Sequence, residues 1–238
     1  MITISPLLNF ITAFAAFSGA VIIWLRYQKS VWKNLVVYRF FLSFLISGIF
    51  FLIEASTGSL TRNTVTIQAL YIIAESLMMF MVFFLLSIPL TIFSGNTKLS
   101  TIFGFPMVIY GTFYLFYNLI FIKPAVTVIS GRFIDWQNSA NPILQIIFWT
   151  LAGSGAIAFA YLFIKNGWHH PDTVIRLRSR LIGGGCSVII VGMIFMCLFM
   201  TLPKSAVSPQ LATLASIFIG TGYFFMLIGV LQKGKEMQ

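Results

Sequence analysis

"ALYIIAESLMMFMVFF", residues 69–84, is an almost unbroken apolar run that nevertheless holds one carboxylate, Glu75. A stretch of roughly 18 or more apolar residues reads as a helix crossing a bilayer, and this one extends over approximately 66–93. Similar runs lie at approximately 6–25, 36–55, 101–122, 142–164, 181–202 and 209–231. Hydrocarbon offers backbone amides no water, so each run is expected to satisfy its own amides as an α-helix. All are too long for the alternating strands of a barrel. The expected fold is an all-α membrane protein, a seven-transmembrane helix bundle forming a single domain over 1–238.

Composition points the same way. Of 238 residues, 59% are hydrophobic and only 8% charged, with a mean hydropathy of +0.97, whereas soluble domains carry about 25% charged residues. A water-soluble fold is therefore excluded. With the N-terminus outside, eleven cations fall on the cytoplasmic side: Arg26, Lys29, Lys33, Arg39, Lys98, Lys165, Arg176, Arg178, Arg180, Lys233 and Lys235. Four remain outside, Arg62, Lys123, Arg132 and Lys204, a split in the direction that the positive-inside rule demands. The net charge of +10 then reads as a topology signal and an attraction to anionic lipid heads in a plasma membrane; nucleic-acid binding is a poor reading of it. The first run lacks a basic leader and reads as a retained helix, not a cleaved signal. Cys186 and Cys197 lie roughly 16 Å apart along one helix axis, too far to pair, and read as inert core thiols.

A repeat is suggested inside the apolar text. "SPLLNFITAFAAFSGAV" (5–21) aligns without a gap on "NPILQIIFWTLAGSGAI" (141–157). Pro6 falls on Pro142, Asn9 on Gln145, Ala16 on Ala152, and Ser18-Gly19-Ala20 on Ser154-Gly155-Ala156. Helices 1–3 would then repeat as 5–7 in parallel, with helix 4 restoring the orientation; chance alignment of a small apolar alphabet is the competing account. Small faces at Ala16/Ala20, Ala152/Ala156/Ala160 and Gly185/Gly192 predict close helix approach. Gly183-Gly184-Gly185 reads as close packing or as a hinge. Pro89 and Pro106 are expected to bend helices 3 and 4.

The polar residues give Glu75 company. Gln68, Tyr71 and Glu75 share one face of helix 3, with Glu75 on the order of 13 Å from its outer end. Tyr114, Tyr117 and Asn118 on helix 4 and Gln145 on helix 5 fall at similar depth, as do Asn9, Thr213 and Ser216. The cytoplasmic half offers mainly Ser43, Thr91 and Tyr161 apart from the terminal Arg39. This asymmetry suggests an outward-facing ligand pocket formed by Gln68, Tyr71, Glu75, Tyr114, Tyr117, Asn118 and Gln145. An ionised carboxylate in hydrocarbon costs at least about 2.5 kcal/mol, so Glu75 is expected to be neutral or hydrogen-bonded, with Tyr71 the nearest donor. It serves either as a ligand or proton site or as a helix-to-helix hydrogen bond. Glu54, near the outer interface, reads as solvated or paired with Arg62.

"AVTVISGRFIDW" (125–136) has two β-prone segments around Ser130-Gly131 and suggests a hairpin, either a lid over the outer mouth or a plain linker. In "WHHPDTVIRLRSRL" (168–181), Asp172 or Thr173 is positioned to cap helix 6, and Arg176, Arg178 and Arg180 suit lipid headgroups or a cytoplasmic partner. His169-His170 is a weak metal pattern; with two histidines in the chain, no metal, cofactor or catalytic set is expected, and the chain is not read as an enzyme.

The chain resembles the seven-helix N-terminal sensor region of many bacterial histidine kinases and diguanylate cyclases. The likeness rests on "GIFFLIEAS" (48–56), "FIDWQNSANPILQIIFWTLAGSGAIAFAYLF" (133–163), "IRLRSRLIGGG" (175–185) and "VSPQLATLASIFIGTGYFFMLIGVL" (207–231). It implies a sensor of extracellular or membrane-soluble small molecules that signals to a cytoplasmic output. The sequence departs from that pattern at "LQKGKEMQ" (231–238), where no kinase or cyclase follows, so either the module signals through a separate partner protein, the expected case, or the sensing role has been lost. A small-solute transporter with the same helix layout and a structural subunit of a membrane complex are the alternatives; oligomeric state is left open.

Overall fold

The computed structural model describes residues 5–29, 34–59, 62–130, 133–202 and 209–232. Its elements in chain order are α1 (Ser5–Lys29), α2 (Leu35–Ser59), α3 (Thr64–Ser94), α4 (Thr97–Ile120), β1 (Val126–Ser130), β2 (Phe133–Gln137), α5 (Pro142–His169), α6 (Thr173–Thr201) and α7 (Pro209–Leu231). All seven helices are long and apolar enough to cross a membrane. Their outward surface is hydrocarbon: Phe14, Ile102, Phe103, Phe116, Ile143 and Ile157 are exposed, while Asn9, Gln68, Glu75 and Ser87 are buried. Apolar residues outside and polar ones inside reverse the pattern of a soluble protein and are those of a multi-pass membrane protein.

Helix ends follow local chemistry. Asn63, Asn96 and Asp172 cap α3, α4 and α6, each side chain accepting two backbone N–H groups of the first turn, groups that a helix leaves unpaired. Capping at Asp172 starts α6 at Thr173, so Arg176, Arg178 and Arg180 lie on its first turns and not ahead of it. Gly95 ends α3 with φ +63°, the left-handed conformation that glycine adopts without steric penalty.

Neighbouring helices pair as α1–α2, α2–α3, α3–α5, α5–α6, α6–α7 and α7–α1, closing a ring of six; α4 packs mainly on α3, outside it. Within the ring the aligned pairs Ala16/Ala152 and Ala20/Ala156 are all buried. The tightest seam is α6–α7: a Cβ built on Gly185 would lie 2.6 Å from the Gly222 carbonyl oxygen, and one on Gly192 would lie 2.9 Å from that of Ala215. Gly183 instead faces Ile164 and Ala160 of α5, and nothing lies near Gly184. The glycine triplet thus serves close packing on two sides of α6.

The hairpin expected around Ser130-Gly131 is present as antiparallel β1 and β2, paired from Val126↔Gln137 to Ser130↔Phe133; its tip, Gly131 and Arg132, lies outside the described residues. Lys33, Lys204, Lys233 and Lys235, assigned to sides of the membrane from the sequence, also lie outside them. At the opposite, basic end, Arg26 of α1 donates to the carbonyls of Val230 and, at 3.2 Å, Leu231, tying α1 to the end of α7. Arg180 donates to the Gly167 carbonyl at 3.0 Å and sits 5.5 Å from the Trp168 ring centre. Arg39 is the correction at this end: expected at the interface, it is 5% exposed. Its guanidinium donates to the Ser87 carbonyl (3.2 Å) and to the hydroxyls of Thr91 (2.6 Å), Ser100 (2.7 Å) and Thr101 (2.9 Å). The long arginine stem lets a cation placed near a helix end reach inward between α3 and α4.

Candidate functional site

Glu75 answers to the hairpin. One of its oxygens, Oε2, accepts from the Tyr114 hydroxyl and from Asn138 Nδ2 at 2.6 Å, and Asn138 directly follows β2. Asn138 Oδ1 in turn accepts from Gln68 Nε2 (2.6 Å) and from the Ala140 N–H (2.8 Å). Gln68 Oε1 takes the Ser139 N–H at 3.0 Å. On α4, Asn118 donates to the Tyr114 carbonyl at 2.9 Å and accepts the Asn141 N–H at 3.1 Å. Gln68, Glu75, Tyr114 and Asn118 thus come together as expected, but their polar capacity is largely taken by residues 138–141. They form a latch that anchors the hairpin, and Asn118, Asn138 and Asn141 also border an open cavity. Buried amides and acids need such partners, and a loop whose own backbone leaves the sheet supplies them.

Tyr71 is not the donor to Glu75. Its hydroxyl reaches the Trp136 carbonyl at 3.1 Å, because a helical side chain leans toward its helix N-terminus, here the hairpin end. Tyr117 and Gln145 meet the latch only through Asn141, whose Nδ2 donates to the Tyr117 hydroxyl at 3.5 Å and whose carbonyl accepts the Gln145 N–H at 2.9 Å. They border a lateral cavity of about 430 Å³ with Lys123, Ser139 and Asn141, where Gln145, 2% exposed, keeps an amide Nε2 without a protein partner.

A second hollow lies inside the ring. A chamber of about 50 Å³ is bordered by Phe44, Phe51, Met81, Trp149, Met193 and Tyr223. A smaller antechamber, about 20 Å³, is bordered by Ser5, Glu54, Tyr71, Asp135, Trp136 and Ser216. The two share Asn9, Glu54 and Met196, so they adjoin. Strand β2 roofs the antechamber through Asp135 and Trp136. Asp135 Oδ2 accepts from Ser5 Oγ at 2.6 Å and Oδ1 from the Trp136 N–H at 2.9 Å. Burial outweighs these two bonds and pushes the Asp135 carboxyl up to about 6, since removing water disfavours the charged form. Gln137 fixes the far edge of the roof by donating to the carbonyls of Phe199 and Leu202, each at 2.7 Å.

Glu54 departs from its expected role. Arg62 is exposed, and neither it nor any other described residue gives the Glu54 carboxylate a hydrogen bond or ion pair; the acid borders both interior cavities instead. Depth along the sequence suggested solvent, whereas the hairpin covers that end of the ring. In the chamber Tyr223 donates to Ser47 Oγ at 2.6 Å, and Ser47 donates to the Ser43 carbonyl at 2.7 Å. Trp149 Nε1 and Ser216 Oγ are buried without partners among the described residues. The sequence singled out Asn9, Ser43, Glu54, Tyr71 and Ser216 among these residues; Asp135, Asn138 and Trp136 entered only as parts of a loop. The signal for Asn138 was the run of polar side chains after the second β-prone segment, which a linker does not require.

No protein-family model matches this chain, and no curated protein or solved structure matches it either. The site therefore speaks through its own chemistry. No cluster of metal-ligating side chains occurs among the described residues; His169 and His170 make only local contacts, with the Lys165 carbonyl and the Asp172 N–H.

Proposed function

We propose that this protein is a receptor-like sensor of the plasma membrane, with the hairpin end outside and the basic end facing a cytoplasmic partner. One observation carries the reading: the same short segment, residues 135–138, roofs the interior antechamber and is bonded through Asn138 to Glu75 and thereby to Tyr114. Filling the chamber displaces the roof, and the latch passes that displacement to α3 and α4. The positive-inside pattern supports the orientation, and Arg176 and Arg178, half-buried on the first turns of α6, offer a basic surface at the receiving end. Below the chamber the ring is filled by Phe40, Phe159, Ala16 and Ala160, which supports a dead-ended site over a conduit.

A small-solute transporter is the second reading. It is favoured by the six-helix ring with α4 outside and by the shared burial of the aligned α1 and α5 alanines, the layout a parallel repeat would produce.

The test is a distance measurement on the chain in nanodiscs, with nitroxides at the exposed positions Lys98 and Lys165. For a sensor, releasing the latch by Asn138→Ala shifts the pulsed-EPR distance distribution at the basic end. An unchanged distribution together with solute counterflow in liposomes that Glu75→Gln abolishes overturns the sensor in favour of the transporter.

A further inference from the structure

The interior cavity has a chemically uneven lining. At its hairpin end stand two carboxylates, Glu54 and Asp135, and the hydroxyl of Ser216. Asp135 is bonded only to neutral donors, Glu54 has no described partner, and no Lys or Arg among the described residues borders either cavity. Ser216 is 2% exposed and its Oγ has no partner among the described residues. A buried hydroxyl left unpaired beside an unpaired acid is a costly arrangement for a purely structural core. Away from that end the lining turns apolar and soft. Met78, Met81, Met193 and Met226 alternate with the faces of Phe44 and Tyr223, and flexible thioethers re-pack around guests of varied shape.

We infer that the chamber binds a small organic cation, a primary ammonium on a short apolar chain, with its head between Glu54 and Asp135 and its chain among the methionines. The assignment rests on the sensor reading, since it names the chemistry that would enter the sensor's interior. An ammonium donates up to three hydrogen bonds, matching two carboxylates and the Ser216 oxygen. The aromatic faces of Phe51 and Tyr223, 5.3 Å apart and perpendicular, suit the partly charged carbons next to the nitrogen. Size sets the limit. A water needs about 10–15 Å³ of such space, so the antechamber takes one ammonium head and the chamber about four carbons. A bare metal ion leaves the apolar chamber unused, and a sugar leaves its hydroxyls unpaired there.

The test uses the full chain in nanodiscs and n-butylammonium as probe, followed by ligand-observed NMR, with n-butanol and methylammonium as comparators and empty nanodiscs as blank. The expected result is saturable butylammonium binding that weakens at least ten-fold in Glu54→Gln and several-fold in Ser216→Ala, with n-butanol bound more weakly than the amine. Met193→Trp fills the chamber without touching the acids; it weakens butylammonium and spares methylammonium, and it serves if Glu54→Gln fails to fold. Equal binding by wild type and Glu54→Gln, equal binding of n-butanol, or no saturable binding overturns the assignment. The nitroxide pair at Lys98 and Lys165 separates the two readings. Amine binding with an unchanged distance removes the sensor and keeps the site, whereas a distance shift in Asn138→Ala without amine binding keeps the sensor and removes the ammonium.

Discussion

Helix α2 carries an ionisable side chain at each end, and the two are treated in opposite ways. Arg39, toward the basic end, is surrounded by four oxygens from α3 and α4. Glu54, toward the hairpin, has a cavity in front of it and no described partner. A buried cation bonded to four oxygens is a fastener between helices, while a partly buried acid that faces a cavity without a described partner is the mark of a group kept for something else. The comparison also separates Glu75 from Glu54: the acid that first drew notice is bonded across elements as Arg39 is, and the less conspicuous one faces the proposed site.

The largest effect should come from the fastener. Arg39→Ala removes the link between α2 and the α3–α4 pair and is expected to destabilise by about 3 kcal/mol, read as a lowered denaturant midpoint in mixed micelles; a loss under about 1 kcal/mol breaks the contrast. Next comes Asp135. Its carboxyl titrates near 6 when folded, against the ordinary 3.8, so the folded state binds its proton more tightly. The resulting stability is fully present below pH 3.8 and is lost as pH rises to about 6, on the order of 2–3 kcal/mol over that window. Melting temperatures of wild type should fall across that range relative to Asp135→Asn, and parallel curves would deny the buried acid any part in the roof. Asn138→Ala, which unties Glu75 and Gln68 from the hairpin, should cost about 1–2 kcal/mol and hasten amide exchange in β2. The smallest change sharpens the contrast most. Glu54→Gln should shift stability by less than about 0.5 kcal/mol, and a loss comparable with that of Arg39→Ala would make Glu54 a fastener too.

The helices were legible because the bilayer leaves an apolar run of 20 residues one way to pair its amides. Small-residue seams were legible in part: Gly192 was marked as a contact, but its counterparts Ala215 and Ile219 on α7 were not, since spacing names a face without naming what meets it. The polar partners were harder. Glu75 and Asn138 are 63 positions apart, and nothing in either segment encodes that meeting. Proximity in sequence favoured Tyr71, one turn away, although its ring leans in the other direction. Arg39 and Glu54 were misplaced by a single assumption, that a charge near a helix end faces water. At one end a long side chain turned inward, and at the other a hairpin closed over the ring.

The meeting of Gly185 and Gly222 has a mechanical consequence. With the Gly185 and Gly222 backbones in direct contact, α6 and α7 have little room to slide against each other at that point, so they travel as a single slab. Any change of shape in the ring must then be taken up along seams bridged by side chains, such as α1–α7, where the Arg26 contacts to Val230 and Leu231 would act as the pin.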